Sequence, residues 1–268
     1  MESIGEWLAL REDDGRAYVL QRTPGEVKIK GLGRFDPFEL LKGFQIGDRI
    51  KIGHKSLSIV KPSITEARRN MSRRAQVIGI KDSGFLISWM GIGVGSKVLE
   101  GGHGSAGLAM NLASVLGNSG TLISVETRPE HAEVGIKNME RLKEILTEFP
   151  NWIFHHGDLY EIGELVKGSC GELDSIIIDI AEPWTVLDEI IPLLRIGGKI
   201  ACYCPTTSQL EKSWIKLDEL GLSIEWSGEM IERRWSIASK GGVRPSNNPI
   251  GHTAFILIAT KIALHEEE

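Results

Sequence analysis

The chain has 268 residues, 41% of them hydrophobic and 25% charged, with a formal net charge of −5. That is globular material and excludes a disordered or fibrous chain; the length suits one large domain, or a middling domain with a smaller one attached. No apolar run reaches the roughly eighteen residues that span a bilayer, and the start, MESIGEWLAL, lacks the features of a leader, so no membrane partner and a cytoplasmic location are expected.

Up to about Pro62 the sequence reads as β structure. AYVLQ, EVKIK, DRIKIG and SLSIV are short, rich in β-branched residues and bounded by Gly, Pro and Asp, which predicts a small barrel-like or sandwich domain over residues 1–64. KPSITEARRN then offers a Pro, a Ser cap and a helical segment, a linker into a second domain over residues 65–268. Residues 1–80 carry 15 Lys+Arg against 10 Asp+Glu, and the remainder 16 against 26, so a basic part sits in an acidic chain. EARRNMSRR places Arg68, Arg69, Arg73 and Arg74 within seven residues. Such a cluster either holds phosphates or forms a solvated helix face, and the sequence leaves both open.

From Lys97 strands and helices alternate. KVLEG, TLISVE, NWIFHHGD, LDSIIIDI and GKIACYC are the expected strands, with helical stretches near 106–117, 129–147, 184–195 and 208–220. SIIIDI, almost wholly apolar, fits a strand covered on both faces. The alternation predicts a parallel sheet with helices on both sides and a ligand at the carboxyl ends of its strands. At the end, LSIEWSGEMIERRWSI and HTAFILIATKI read as two strands with no helix between them, an antiparallel closing pair. Cys170, Cys202 and Cys204 have no metal-ligand spacing; the last two fall on one strand face and are expected to pack as small hydrophobes.

KVLEGGHGSAGLAMNLA, residues 97–113, reads as a strand, a glycine-rich turn and a small-residue helix, a place where backbone can approach a nucleotide-like ligand closely. Four successive strands end in acids: Glu100, Glu126, Asp158 and Asp179. Carboxylates along one edge suit a cationic ligand with a ribose diol, namely S-adenosylmethionine, better than a phosphate. Glu126 stands where an acid meets ribose hydroxyls. Asp158 and Asp179 have helix capping as their alternative role. A triphosphate is disfavoured because no Gly-Lys-Ser/Thr follows the loop. NAD is a weaker reading, with Glu100 and the absence of a third strict glycine at Ala106 against it. His103 is expected to be an exposed, tolerated side chain of the loop.

The stretch SIIIDIAEPWTVLDEIIPLLRIGGKIACYCPTTSQ resembles the tRNA (adenine-N1)-methyltransferases of the TrmI type, which act on adenine 58 in the T loop. The resemblance extends over the small β domain, RRAQVIGIKD, the glycine loop, IDIAEPW, CPTTSQ and VRPSNNPIGHTAFILIATK. It implies a Rossmann-like S-adenosylmethionine-dependent methyltransferase fold, a mostly parallel sheet with an antiparallel closing strand, preceded by the small β domain. It also implies S-adenosylmethionine as cofactor, tRNA as partner and a homotetramer. By position, Glu100, Gly102, Gly104, Ser105 and Ala106 match the cofactor loop, Glu126 the ribose acid and Asp158 the acid beside the cofactor's adenine. Asp179 matches the residue facing both the reactive methyl group and the target base, and Gln76 a polar residue of the segment closing over the cofactor. Arg244 and His252, placed in the closing strands, match residues that help hold the RNA. The sequence departs from the family pattern at Ala75, Gly79, Ala106 and Ala181.

Asp179 is therefore the expected catalytic group, orienting adenine and offsetting the cation formed when N1 is methylated. Arg73 and Arg74 are expected on the RNA backbone. Trp184 either shapes the base pocket or packs the start of its helix. The competing functions are a non-catalytic tRNA-binding relative partnering an active subunit, and a protein isoaspartyl methyltransferase, which shares the glycine loop but not Asp-x-x-x-Pro-Trp.

Overall fold

The structure is a computed structural model and describes residues 4–263. The chain divides into two units, residues 1–73 with 137–148, and residues 74–136 with 149–268.

In the first unit, β1 (Trp7–Arg11) and β2 (Ala17–Gln21) pair antiparallel, followed by the ribbon β3 (Val27–Ile29) and β4 (Gly33–Phe35). A short helix α1 (Pro37–Leu40), capped by the Asp36 carboxylate, leads to the hairpin β5 (Arg49–Ile52) and β6 (Lys55–Val60). The strand order is β2-β1-β6-β5, with the β3–β4 ribbon as a separate two-stranded sheet. Strand alternation sends Leu8, Leu10, Leu20, Ile50, Leu57 and Ile59 into one core. Helix α2 (Ile64–Arg69) starts on a capping box, in which the side chains of Ser63 and Glu66 each accept from the other's end of the turn. Its Arg68 is buried, and desolvation pushes its guanidinium down to about 10. The four arginines are thus not one exposed face. Arg69 and Arg73 are exposed in this unit, and Arg74 is exposed in the other.

The second unit begins with α3 (Ile80–Trp89) and then alternates: β7 (Lys97–Gly101), α4 (Gly107–Leu116), β8 (Thr121–Glu126), α5 (Pro129–Ile145, which from residue 137 on belongs to the first unit), β9 (Asn151–His156), α6 (Gly163–Ser169) and β10 (Leu173–Ile178). It continues through α7 (Leu187–Ile190), β11 (Leu194–Cys204), α8 (Thr207–Glu219), β12 (Leu222–Gly228), β13 (Trp235–Ile237), β14 (Val243–Pro245) and β15 (Phe255–Lys261). One seven-stranded sheet has the order β12-β15-β11-β10-β7-β8-β9. Its five strands from β11 to β9 run parallel, and β15 lies antiparallel between β11 and β12. Ile176, Ile178, Leu99, Ile123 and Val125 belong to one buried apolar cluster, which also takes in Cys202 and Cys204. The chain builds outward from β7 to β9, then returns to the other side of β7 with β10. The switch point of the sheet is therefore between β7 and β10, where ligands of such folds bind.

Two expectations are corrected here. Residues 184–195 do not form one helix. A 3-10 turn (Pro183–Thr185), the single turn of α7 and another 3-10 turn (Ile191–Leu193) share that stretch. Pro192 has no N–H to donate and breaks the ladder. Nor is LSIEWSGEMIERRWSI one strand. The β12–β15 register ends at Gly228↔Ile256, and Trp235–Ile237 leaves the sheet to pair with β14. Arg244 accordingly lies in that separate hairpin, and His252 in the loop before β15, rather than in the closing strands.

Candidate active site

Parallel register sets Gly101 beside Ile178, so the residues following β7 and β10 leave the sheet side by side. The Asp179 amide donates to the Gly101 carbonyl at 2.8 Å, which ties the two strand ends together. Gly102 has φ +88°, and a Cβ there would stand 2.0 Å from the Asp179 carbonyl oxygen. Only glycine fits such a contact in the left-handed region. The turn continues through the amides of Gly102 and His103, both donating to the Val125 carbonyl at 3.0 Å. It closes at Ala106, which takes φ +67° without being glycine and opens α4.

The side chains around this turn form a connected set. Glu126 accepts from the Gly104 amide at 2.8 Å, and from the Arg128 amide at 3.1 Å and its Nε at 2.9 Å. Burial alone would raise the Glu126 carboxyl, but the donations from Arg128 and Gly104 outweigh it and hold the group below its ordinary value. The Ser105 hydroxyl accepts from the amides of Arg74 and Ala75 at 3.0 and 3.1 Å, pinning the segment that carries Gln76 against the loop. Gln76, Glu100, Gly102, Gly104 and Asp179 line one narrow crevice together with His103 and Leu108.

Asp179 is the most perturbed carboxylate of the crevice. Burial first, and then the negative charges of Glu100 and Glu126, raise it to about 7 against the partial relief of Arg128. A site that penalises two neighbouring carboxylates in this way is improved by an arriving cation.

The remaining expected residues are more dispersed. Asp158 uses a carboxylate oxygen to cap the 3-10 turn after β9, accepting from the Tyr160 amide at 3.2 Å. Trp184 is half-buried at the start of its 3-10 turn, with the Lys212 ammonium 4.5 Å from its ring centroid. Arg244 is exposed on the β13–β14 hairpin. His252 bridges the Glu229 carboxylate at 2.8 Å and the Pro205 carbonyl at 3.0 Å. The Pro205 carbonyl, and then Glu229, raise its basicity. His103 is the clearest departure: it is buried, not exposed, with Nδ1 2.9 Å from Glu100 Oε2. Four groups the sequence did not single out, Lys81, Asp82, Tyr203 and Thr253, form a second connected set. Asp82 is fully buried, accepting from Lys81 at 2.7 Å, Thr253 at 2.8 Å and Tyr203 at 3.0 Å.

The model of the tRNA methyltransferase complex GCD14 subunit family matches residues 59–241, more than half of the chain. The chain belongs to the GCD14 tRNA methyltransferase family. This GCD14-family chain is 30% identical to the tRNA (adenine(57)-N(1)/adenine(58)-N(1))-methyltransferase TrmI of Methanocaldococcus jannaschii, over 93% of either chain. It is 28% identical to the tRNA (adenine(58)-N(1))-methyltransferase TrmI of Thermus thermophilus, covering 93% of this chain and 94% of that one. Among solved structures it is similar to a SAM-dependent O-methyltransferase from Thermotoga maritima, with 27% identity and a TM-score of 0.79 over 99% of this chain and 96% of the other. The GCD14-family crevice fits S-adenosylmethionine on its own chemistry. Gly102 and Gly104 bring bare backbone to it and the carboxylates of Glu100 and Asp179 line it, with Glu126 held on the Gly104 amide, a donor set that suits a cationic ligand carrying hydroxyls.

Proposed function

We propose that this chain is an S-adenosylmethionine-dependent enzyme that methylates N1 of adenine 58 in the T loop of tRNA, the reaction named for its TrmI relatives. The observation that carries the reading is Asp179: a carboxylate anchored through its own backbone to the glycine turn, at the switch point of the sheet. The bound cofactor supplies a methyl group made electrophilic by its sulfonium. Glu100 and the loop amides would hold the cofactor's amino-acid end, Glu126 its ribose and Asp158 its adenine. The adenine N1 lone pair needs no base, so the protein's task is alignment, which contributes on the order of 7–11 kcal/mol in favourable cases. As the N1–C bond forms, the donor's S–CH3 bond would break, neutral S-adenosylhomocysteine would leave with the bonding pair, and the base would take up the positive charge. Ionised Asp179 accepts a hydrogen bond from the exocyclic amine, orienting the base and stabilising that charge as it forms.

The target edge is covered in folded tRNA, so the base is turned out of its stack. Exposed Arg73, Arg74 and Arg244 supply contacts to the sugar-phosphate backbone. His252 and Trp184 support the RNA-facing side, His252 by fixing the segment at Pro205. The assembly is a homotetramer working in the cytoplasm. Trp235, Ile237 and Val243, 65–78% exposed on the β13–β14 hairpin, supply apolar surface for it. Among the described residues no helix is long and apolar enough to cross a membrane, and no group of His, Cys, Asp or Glu is placed to hold a metal.

The test is incubation of the protein with an unmodified tRNA transcript and labelled S-adenosylmethionine, followed by nucleoside analysis. The expected product is 1-methyladenosine at position 58, with Asp179→Ala retaining cofactor binding and losing orders of magnitude in transfer. Tight tRNA binding without transfer refutes the enzyme reading and favours a non-catalytic partner subunit.

A further inference from the structure

His103 sits between two glycines of the turn, where a side chain has every opportunity to point into water. Instead its side chain is 0% exposed. The ring lies at 29° to Trp152 with centroids 5.9 Å apart, and meets the edge of Phe154 at 5.3 Å. Room for it is made on α5, where a Cβ at Gly135 would stand 2.5 Å from its Cδ2 and 2.6 Å from its Nε2. A strand, a helix and the loop thus build a compartment the shape of an imidazole. Within it Nε2 has no hydrogen-bond partner, so the one polar tie of the ring is Nδ1 to Glu100 Oε2 at 2.9 Å. Burying a polar ring for a single bond is costly unless that bond does something for its partner.

We propose that His103 is a positioning residue for the cofactor site, donating from Nδ1 to Glu100 Oε2 so that this carboxylate is held in one rotamer, with its other oxygen turned to the cofactor's ammonium. This rests on the S-adenosylmethionine reading above. The geometry supports it from the other side as well. Glu100 lies on β7 and lines the crevice, and its side chain is 2% exposed. Without a donor, a carboxylate so buried would be left with an unpaired oxygen and would be free to rotate.

The experiment measures binding of S-adenosylhomocysteine to the full chain by calorimetry, for the wild type, His103→Leu and His103→Asn. Leucine fills the compartment without a donor, whereas asparagine places an amide N–H near the position of Nδ1. Loss of a hydrogen bond to a charged group predicts weakening by about 10- to 100-fold for His103→Leu. His103→Asn should stay within about threefold of wild type. Equal affinity for all three, or equal weakening of both variants, overturns the proposal. Should His103→Leu fail to fold, the wild-type imidazole 15N resonances during the same titration give the answer. A shift of the Nδ1 resonance on saturation supports the role, and unchanged resonances reject it. A wild type that does not bind S-adenosylhomocysteine at all removes the cofactor reading itself, a result distinct from tight wild-type binding with indifferent variants.

Discussion

Asp179→Asn removes a charge that the fold holds at a cost, and the cost can be read as a dependence of stability on pH. The carboxyl has an ordinary value of 3.8 and stands at about 7 in the crevice, chiefly through burial and then through Glu100. At 1.36 kcal/mol per unit, that difference corresponds to about 4 kcal/mol. Below pH 4 the group is protonated folded and unfolded, and it contributes nothing to the difference between wild type and variant. Between pH 4 and 7 the unfolded chain releases the proton while the folded chain keeps it, so wild-type stability falls as pH rises. Above pH 7 the whole penalty is present. Asparagine cannot ionise and escapes this. The variant should therefore gain on the wild type steadily from pH 4 to 7 and hold a constant lead above that. For a chain of this size about 2 °C in Tm accompanies each kcal/mol, so the lead at pH 8 is roughly 8 °C. Scanning calorimetry of both ligand-free proteins at unit steps from pH 5 to 8 is the assay. A variant no more stable than wild type at pH 8, or a lead that does not change with pH, would refute the electrostatic account of the site.

Four other outcomes follow from the same geometry. Gly102→Ala, forced against the Asp179 carbonyl at positive φ, should lose cofactor binding and cost more than about 3 kcal/mol in denaturant titrations. Ala106 already accepts a left-handed φ, so Ala106→Gly should stay within about 1 kcal/mol of wild type while Ala106→Val costs at least ~2 kcal/mol, measured the same way. Asp82→Ala removes a fully buried carboxylate and its bonds from Lys81, Thr253 and Tyr203, while Lys81 keeps the Met230 carbonyl, and should cost about 2–3 kcal/mol, whereas Tyr203→Phe, losing one donor to Asp82, should cost about 1 kcal/mol. The double variant Arg73→Glu/Arg74→Glu should weaken tRNA binding and flatten its salt dependence in filter binding, while Arg68→Gln, altering a buried residue, should act on stability instead.

The alternation of strands and helices from Lys97 onward was plain in the sequence because each element carries its own periodicity. Acids at the ends of four strands were likewise visible, since strand ends are marked by the change from apolar to turn residues. That Asp179 and Gly101 are neighbours follows only from the parallel register of β7 and β10, which the sequence does not state but the fold class entails. What stayed hidden depends on distant partners. His103 looks exposed until Trp152, Phe154 and Gly135 are brought around it. Arg68 belongs to a basic run by composition, and only the packing of α2 withdraws it. Trp7–Arg11 escaped notice because WLALR is built from Leu and Ala without alternation, and three consecutive residues of it are buried. The stretch 184–195 has the spacing of a helix, but Pro192 removes a backbone donor within it and leaves only single turns.

The junction of Gly101, Gly102 and Asp179 has an evolutionary consequence. Two peptide planes, one from the glycine turn and one from the end of β10, rest directly on one another with no side chain between them. The separation of turn and strand end is therefore set by main-chain geometry, which substitution cannot gradually adjust.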